Sequence, residues 1–309
     1  MRLSGITGLR LAAALLVLAW SSPPIEAQTI RDGLMMSKGS LCTGFVYSHD
    51  SWDTYWEGAL ERDNENIGTL TTQSVAWVGN YGITDRLNVI AMAPYVWTGA
   101  SQGVLRGLDG LQDLTVGLKY KALDTAFTQT GSLRAFAVVS AGTALSDYTP
   151  DFLPMSIGSQ SDRISGRLTL DFWADRGWFV TGGAAYTWRD NVTLDRPSYF
   201  TDGRLYFSDQ VEMPDVFDYT ISAGYRKKGL QIPISFSQQI TRGGGDIRRQ
   251  DMPFVSNKMN YSQLSALVEW YLPPIERLAI QVSGAYTFDG RNVGQSTVLT
   301  AGFLYVFSF

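Results

Sequence analysis

The stretch Thr297-Val298-Leu299-Thr300-Ala301-Gly302-Phe303-Leu304-Tyr305-Val306-Phe307-Ser308-Phe309 decides how the rest of the chain is read. Successive side chains of a strand point to opposite faces. One face then carries Thr297, Leu299, Ala301, Phe303, Tyr305, Phe307 and Phe309, and the other Val298, Thr300, Gly302, Leu304, Val306 and Ser308. Asn292–Phe309 holds no formal charge, yet its strict alternation with polar and small residues is wrong for a lipid-spanning helix. The other long uncharged window, Leu87–Leu105, carries Pro94, Gly99, Gly103 and several polar groups, and is not a credible helical span.

The period of two recurs upstream. In 277–289, Leu278, Ile280, Val282, Gly284, Tyr286 and Phe288 oppose Ala279, Gln281, Ser283, Ala285, Thr287 and Asp289. In 216–226, Phe217, Tyr219, Ile221, Ala223 and Tyr225 oppose Asp218, Thr220, Ser222, Gly224 and Arg226; 230–241 repeats the contrast. Soluble strands average about 5–6 residues. These segments reach the roughly 9–11 that a tilted strand needs to cross a membrane. Twelve can be placed: 40–49, 67–79, 86–97, 111–122, 132–143, 163–174, 177–189, 215–227, 229–241, 258–272, 277–289 and 296–309. Strands one, two, three and five have the least contrast between faces. Short connections follow strands two, six, eight and ten, and long polar ones lie between. That is the rhythm of an outer-membrane barrel with short periplasmic turns and long external loops. The connection after strand four, 123–131, reads as a longer loop than this plan prefers. The fold class is therefore all-β: a transmembrane antiparallel β-barrel of about 12 strands.

Aromatic residues support the same orientation. Tyr120, Trp178, Tyr225 and Trp270 fall near periplasmic strand ends, and Trp97, Trp188, Phe217 and Phe288 near external ends. Such rings prefer the headgroup level. Phe303, Tyr305, Phe307 and Phe309 resemble the C-terminal sorting strand by which barrel-insertion machinery recognises its clients. Met1–Ala27 has basic Arg2 and Arg10, an apolar run Leu11–Trp20 and a small residue before Gln28, which is the layout of a cleaved signal peptide. The expected organisation is a signal peptide over 1–27 and a barrel domain over 28–309, monomeric in the lipid of a Gram-negative-type outer membrane.

Composition removes other functions. The 309 residues include one Cys and one His, which leaves no disulfide framework and no Cys/His zinc site. A net charge of -4 lacks the basic footprint that nucleic-acid binding requires. No metal and no cofactor is expected. Ser48 and His49 are adjacent on a strand and so point to opposite faces, which defeats a serine hydrolase. His49 reads more simply as an exposed residue at a loop base, Cys42 as a small buried residue, and the chain as no enzyme.

The predicted lumen face bears Asp113, Lys119, Lys121, Arg167, Asp171, Arg189, Asp218, Arg226, Glu269 and Asp289. These charges either line a polar pathway or pair across the lumen and plug it; the sequence leaves both open. In the first external loop, Trp52, Asp53, Tyr55, Trp56 and Glu57 offer aromatics and carboxylates to a ligand, although no calcium-loop spacing is present.

Tyr81-Gly82-Ile83-Thr84-Asp85-Arg86-Leu87-Asn88-Val89, followed by Ala93-Pro94-Tyr95, resembles the second hairpin of the MetA-pathway phenol-degradation family. Gly110-Leu111-Gln112-Asp113-Leu114-Thr115-Val116-Gly117-Leu118-Lys119-Tyr120 is similar to that family's next strand. The resemblance implies outer-membrane barrels akin to long-chain fatty-acid transporters, and a channel for small hydrophobic or aromatic solutes. Gln28–Gly39 is too short for the plug domain of those transporters, so their manner of ligand handover is not expected to carry over. The leading expectation is a channel or transporter. The alternative is a structural or surface-interaction barrel whose lumen is blocked and whose external loops bind a partner.

Overall fold

The computed structural model describes residues 29–248 and 252–309. The signal-peptide reading of Met1–Ala27 lies outside the described residues. Twelve long strands form one antiparallel sheet: β1 Ser40–Trp52, β2 Leu70–Thr84, β3 Leu87–Ala100, β4 Asp113–Thr128, β5 Gly131–Ala144, β6 Arg163–Ala174, β7 Trp178–Arg189, β8 Val216–Lys227, β9 Leu230–Thr241, β10 Asn260–Tyr271, β11 Leu278–Arg291 and β12 Thr297–Ser308. Each pairs with its sequence neighbours, and β1 pairs with β12 from Ser40↔Ser308 to Ser51↔Thr297. The sheet therefore closes into a barrel and leaves no strand edge unpaired, the condition for a sheet inside lipid.

Burial is inverted relative to a soluble protein. The outward residues of the alternating segments are the exposed ones: Leu168 is 72 % exposed, Val139 61 %, Val282 60 % and Leu299 59 %. Water would penalise such a wall, at roughly 25 cal/mol per Å² of apolar surface; lipid does not. The inward positions of the same strands mix Ser, Thr, Gly and charged residues with buried apolar ones such as Phe136, Val138, Leu304 and Val306. The apolar core is split accordingly. Met36, Cys42, Tyr271, Ala279, Leu304 and Val306 pack together inside one end of the barrel. Val96, Tyr148 and Ile157 form a second cluster. A third, with Val192, Leu194, Tyr199, Val211, Met213, Phe254 and Val255, is built by the external loops themselves.

Two connections differ from their sequence reading. The loop expected at 123–131 is a tight turn over 129–130, because β4 and β5 pair on to Thr128↔Gly131. The turn expected at 80–85 shrinks to 85–86, because β2 runs through Gly82. Bulges explain both. They fall at Lys121/Leu123 and Ala126/Thr128 in β4 and at Gly82/Thr84 in β2. An inserted residue shifts the inward-outward parity, so alternation ends on paper while the ladder continues.

Candidate functional site: an occluded lumen

The described residues before β1, 29–39, enter the barrel and bind its inner wall. The Lys119 side chain, fully buried on β4, donates from Nζ to the carbonyls of Thr29 (2.9 Å) and Asp32 (2.7 Å) and to Asp32 Oδ1 (2.7 Å). An ammonium has three donors, and all three are used on this segment. Its charge also lies 5.2 Å from the centre of the Phe136 ring. Beside it Gly33 lies against Asp171 so closely that a Cβ would overlap the carboxylate. Arg31 reaches to 4.0 Å from Asp218. The stretch Gln28–Gly39, too short for a plug domain, still narrows the lumen in its described part, because one buried lysine and one glycine give it a seat.

Most of the other lumenal charges are paired. Asp171 accepts from Arg134 Nη2 (2.6 Å) and Thr181 Oγ1 (2.5 Å), with Arg226 Nη1 at 3.6 Å. Arg226 stacks 4.0 Å over the Phe179 ring and donates Nε to Gln231 Oε1 (2.7 Å). Arg167 forms an ion pair with Asp218. Nearer the external end, Asp113 takes the Tyr148 hydroxyl (2.6 Å) and pairs with Arg163. Glu269 is buried on β10. Thus Lys119, Arg167, Asp171, Asp218, Arg226 and Glu269 meet inside the barrel, and Asp113 and Arg189 face the lumen nearer its external mouth. Lys121 and Asp289 stand apart. Lys121 bonds Asp124 (2.7 Å) beside the bulge, and Asp289 is exposed at the external end of β11. Sequence reading missed Arg31, Asp32, Arg134 and Arg163. Arg163 was recoverable, since it shares the parity of Arg167 and Asp171 on β6.

A cavity of about 410 Å³ remains beside the N-terminal segment. Thr220, Ser222, Ser235, Ser237, Ser265 and Ser283 make one wall, and Ile30, Val46, Val78, Ile90 and Met92 make another. It suits a compact apolar body that carries one or two hydrogen-bonding groups.

The first external loop is a closing strap. Thr54–Glu57 pairs with Leu60–Asp63, and Tyr55 bridges to Gly294. Trp52 lies over Gly294 and buried Trp56 over Gly290, where Cβ atoms would collide with the indoles. Glu57 is held by Arg62 (3.0 Å), and Asp53 is exposed. Of the five, Trp52, Tyr55 and Trp56 thus lie against 290–294, Glu57 pairs with Arg62 and Asp53 faces solvent. Asn292 ties the strap to another loop. Its Oδ1 accepts from the amides of Gly58 (2.8 Å) and Ile247 (2.9 Å), and its Nδ2 donates to Asp246 (2.9 Å). Hydrogen bonds from Arg291 foremost, and from Asn292, hold the Asp246 carboxyl down from its ordinary 3.8 to about 2. A depressed carboxyl stabilises above its ordinary value and loses that contribution as pH falls through the folded one. Both partners are more than a third exposed, so the effect is screened and small. Hydrogen-exchange protection of the Gly58 and Ile247 amides is expected to hold down to about pH 4 and decline toward pH 2. In Asn292→Ala it is expected to be low at every pH.

Closed topology, an apolar outer wall and a polar lumen define the class: a transmembrane β-barrel of the outer-membrane type. Residues 64–303 match the family model described as "Putative MetA-pathway of phenol degradation", and the chain belongs to that family. Among solved structures it is similar to the COG4313 outer membrane channel from Pseudomonas putida F1, with TM-score 0.71 and 15% identity over 91% of this chain and 100% of that one. The NanC porin aligns with TM-score 0.45 and 8% identity, over 84% of this chain and 98% of the porin. The TodX deltaS2S3 mutant monoaromatic hydrocarbon channel aligns with TM-score 0.43 and 11% identity, over 89% and 91%. No curated protein sequence matches the chain.

Proposed function

We propose that the protein is a channel for a small solute with an aromatic or aliphatic body and few polar groups, and that it performs no covalent chemistry. The observation that carries this is the cavity of about 410 Å³ between the N-terminal segment and the hydroxyl-rich wall of β8–β11. Apolar side chains on one wall take the body of the solute, and hydroxyls opposite replace the water its polar group gives up. The family's description, which names phenol degradation, agrees with that chemistry. The reading includes export by a cleaved leader, insertion through the Phe303, Tyr305, Phe307 and Phe309 strand, and action as a single barrel.

The test is flux into liposomes that contain the full-length protein. Phenol is expected to enter several-fold faster than into protein-free liposomes, and a disaccharide, too large and too polar for the cavity, is not. Equal phenol entry with and without folded protein would overturn the channel reading. It would favour a blocked barrel that acts through its loops, whose separate apolar core around Val192 and Phe254 gives them a fixed shape.

A further inference from the structure

Arg163 and Arg189 are directly opposite each other on β6 and β7, and both face the lumen near its external mouth. Residues so paired have Cβ atoms about 5 Å apart, where like charges repel. Neutralisation is uneven. Arg163 is paired with Asp113 and donates Nη2 to Thr115 Oγ1 (3.0 Å). The nearby carboxylate of Asp215 is occupied by the Arg189 backbone amide (3.1 Å) and the Tyr186 hydroxyl (2.9 Å). The Arg189 guanidinium makes no hydrogen bond or ion pair among the described residues. Arg163 keeps 29 % of its side chain exposed, and Arg189 is also part-exposed, so the pair is accessible from the mouth. Gly142 adds room, since a Cβ there would strike the Arg163 guanidinium.

We infer that Arg163 and Arg189 form a carboxylate-binding site at the external entrance, which captures small organic acids. A carboxylate has two oxygens and matches guanidinium donors bidentately. Placed between the two arginines it would satisfy the free donors of Arg189 and remove the repulsion across β6 and β7. Thr115, which Arg163 holds, also lines the central cavity, so a captured acid has its apolar end directed inward. The inference rests on the channel reading and deepens it: the favoured solute bears an anionic group as well as an apolar body.

The test is equilibrium binding, which is independent of flux. Benzoate and benzyl alcohol share a ring and differ in charge. By calorimetry on the full-length protein in detergent at low salt, benzoate is expected to bind about tenfold or more tightly than benzyl alcohol, as hydrogen bonds to a charged group predict. Arg189→Gln is expected to bring benzoate to the affinity of benzyl alcohol, and Arg189→Lys to keep part of the difference. Heat-modifiable migration on a gel verifies that each variant is folded. Equal binding of the two ligands, absence of benzoate binding, or undiminished benzoate affinity in folded Arg189→Gln would overturn the site. Phenol flux would be untouched by any of these results, so failure of this site and failure of the channel reading remain distinct.

Discussion

Lys119→Met is expected to loosen the N-terminal segment and raise the conductance of the barrel. Among the described residues, the buried ammonium is the one side chain that binds both Thr29 and Asp32 through hydrogen bonds, three in all. Methionine fills much of the same volume and supplies no donor. Asp32 would keep its charge without its cation, and breaking a buried pair from one side costs about 3–5 kcal/mol. A shift of that size moves the equilibrium between seated and released segment by a factor on the order of 100 or more. In planar bilayers the variant is expected to show larger or more frequent openings than the wild type. Deletion of 29–38 sets the upper limit. A variant that folds normally and matches wild-type conductance would show that the segment is not held by Lys119.

Asp171→Ala is expected to be the most destabilising single change in the lumen. Its carboxylate is fully buried and serves Arg134, Thr181 and Arg226 at once. Removing it leaves the Arg134 guanidinium without its anion inside the barrel and takes one carboxylate away from beside Arg226, again about 3–5 kcal/mol. The same change takes away the surface on which Gly33 rests. The unfolding temperature, followed by heat-modifiable migration, is expected to drop clearly for Asp171→Ala and to change little for Asp289→Ala. Asp289 is exposed and, among the described residues, accepts one long hydrogen bond, from Ser262 Oγ at 3.5 Å, so it serves as the control. Equal unfolding temperatures for the two variants would mean that the lumenal network adds nothing to stability.

The two variants bear on the question left open by composition, whether the lumenal charges make a path or a plug. In the structure most of them pair. Asp171, Arg167 and Asp218 brace strands across the interior, and the same braces position the N-terminal segment that narrows the passage. The charges of β6 were visible in the sequence because Arg167 and Asp171 share a parity. Their partners were less so. Arg134 sits on β5, whose two faces differ little in polarity. Arg31 and Asp32 precede the first strand, where alternation says nothing. The first external loop drew attention for its aromatics and carboxylates, yet Trp52 and Trp56 are there to cover Gly290 and Gly294. A tryptophan seated on a glycine far along the chain leaves no local pattern.

The sequence by itself determined the strand number, the lipid-facing surface and the alternation of short and long connections. Each is a local property: the inward-outward period of a strand is two residues, and lipid demands apolar side chains at every outward position. Bulges were the limit of that legibility, because one inserted residue inverts the parity without ending the ladder. Only the tertiary structure decided which charges meet, that Lys119 reaches back to Thr29 and Asp32, and that Arg163 stands opposite Arg189. Formation of the barrel brings Lys119 to the N-terminal segment across a long stretch of chain, and the register that faces one arginine with the other is set by the tight turn over 175–177 between β6 and β7.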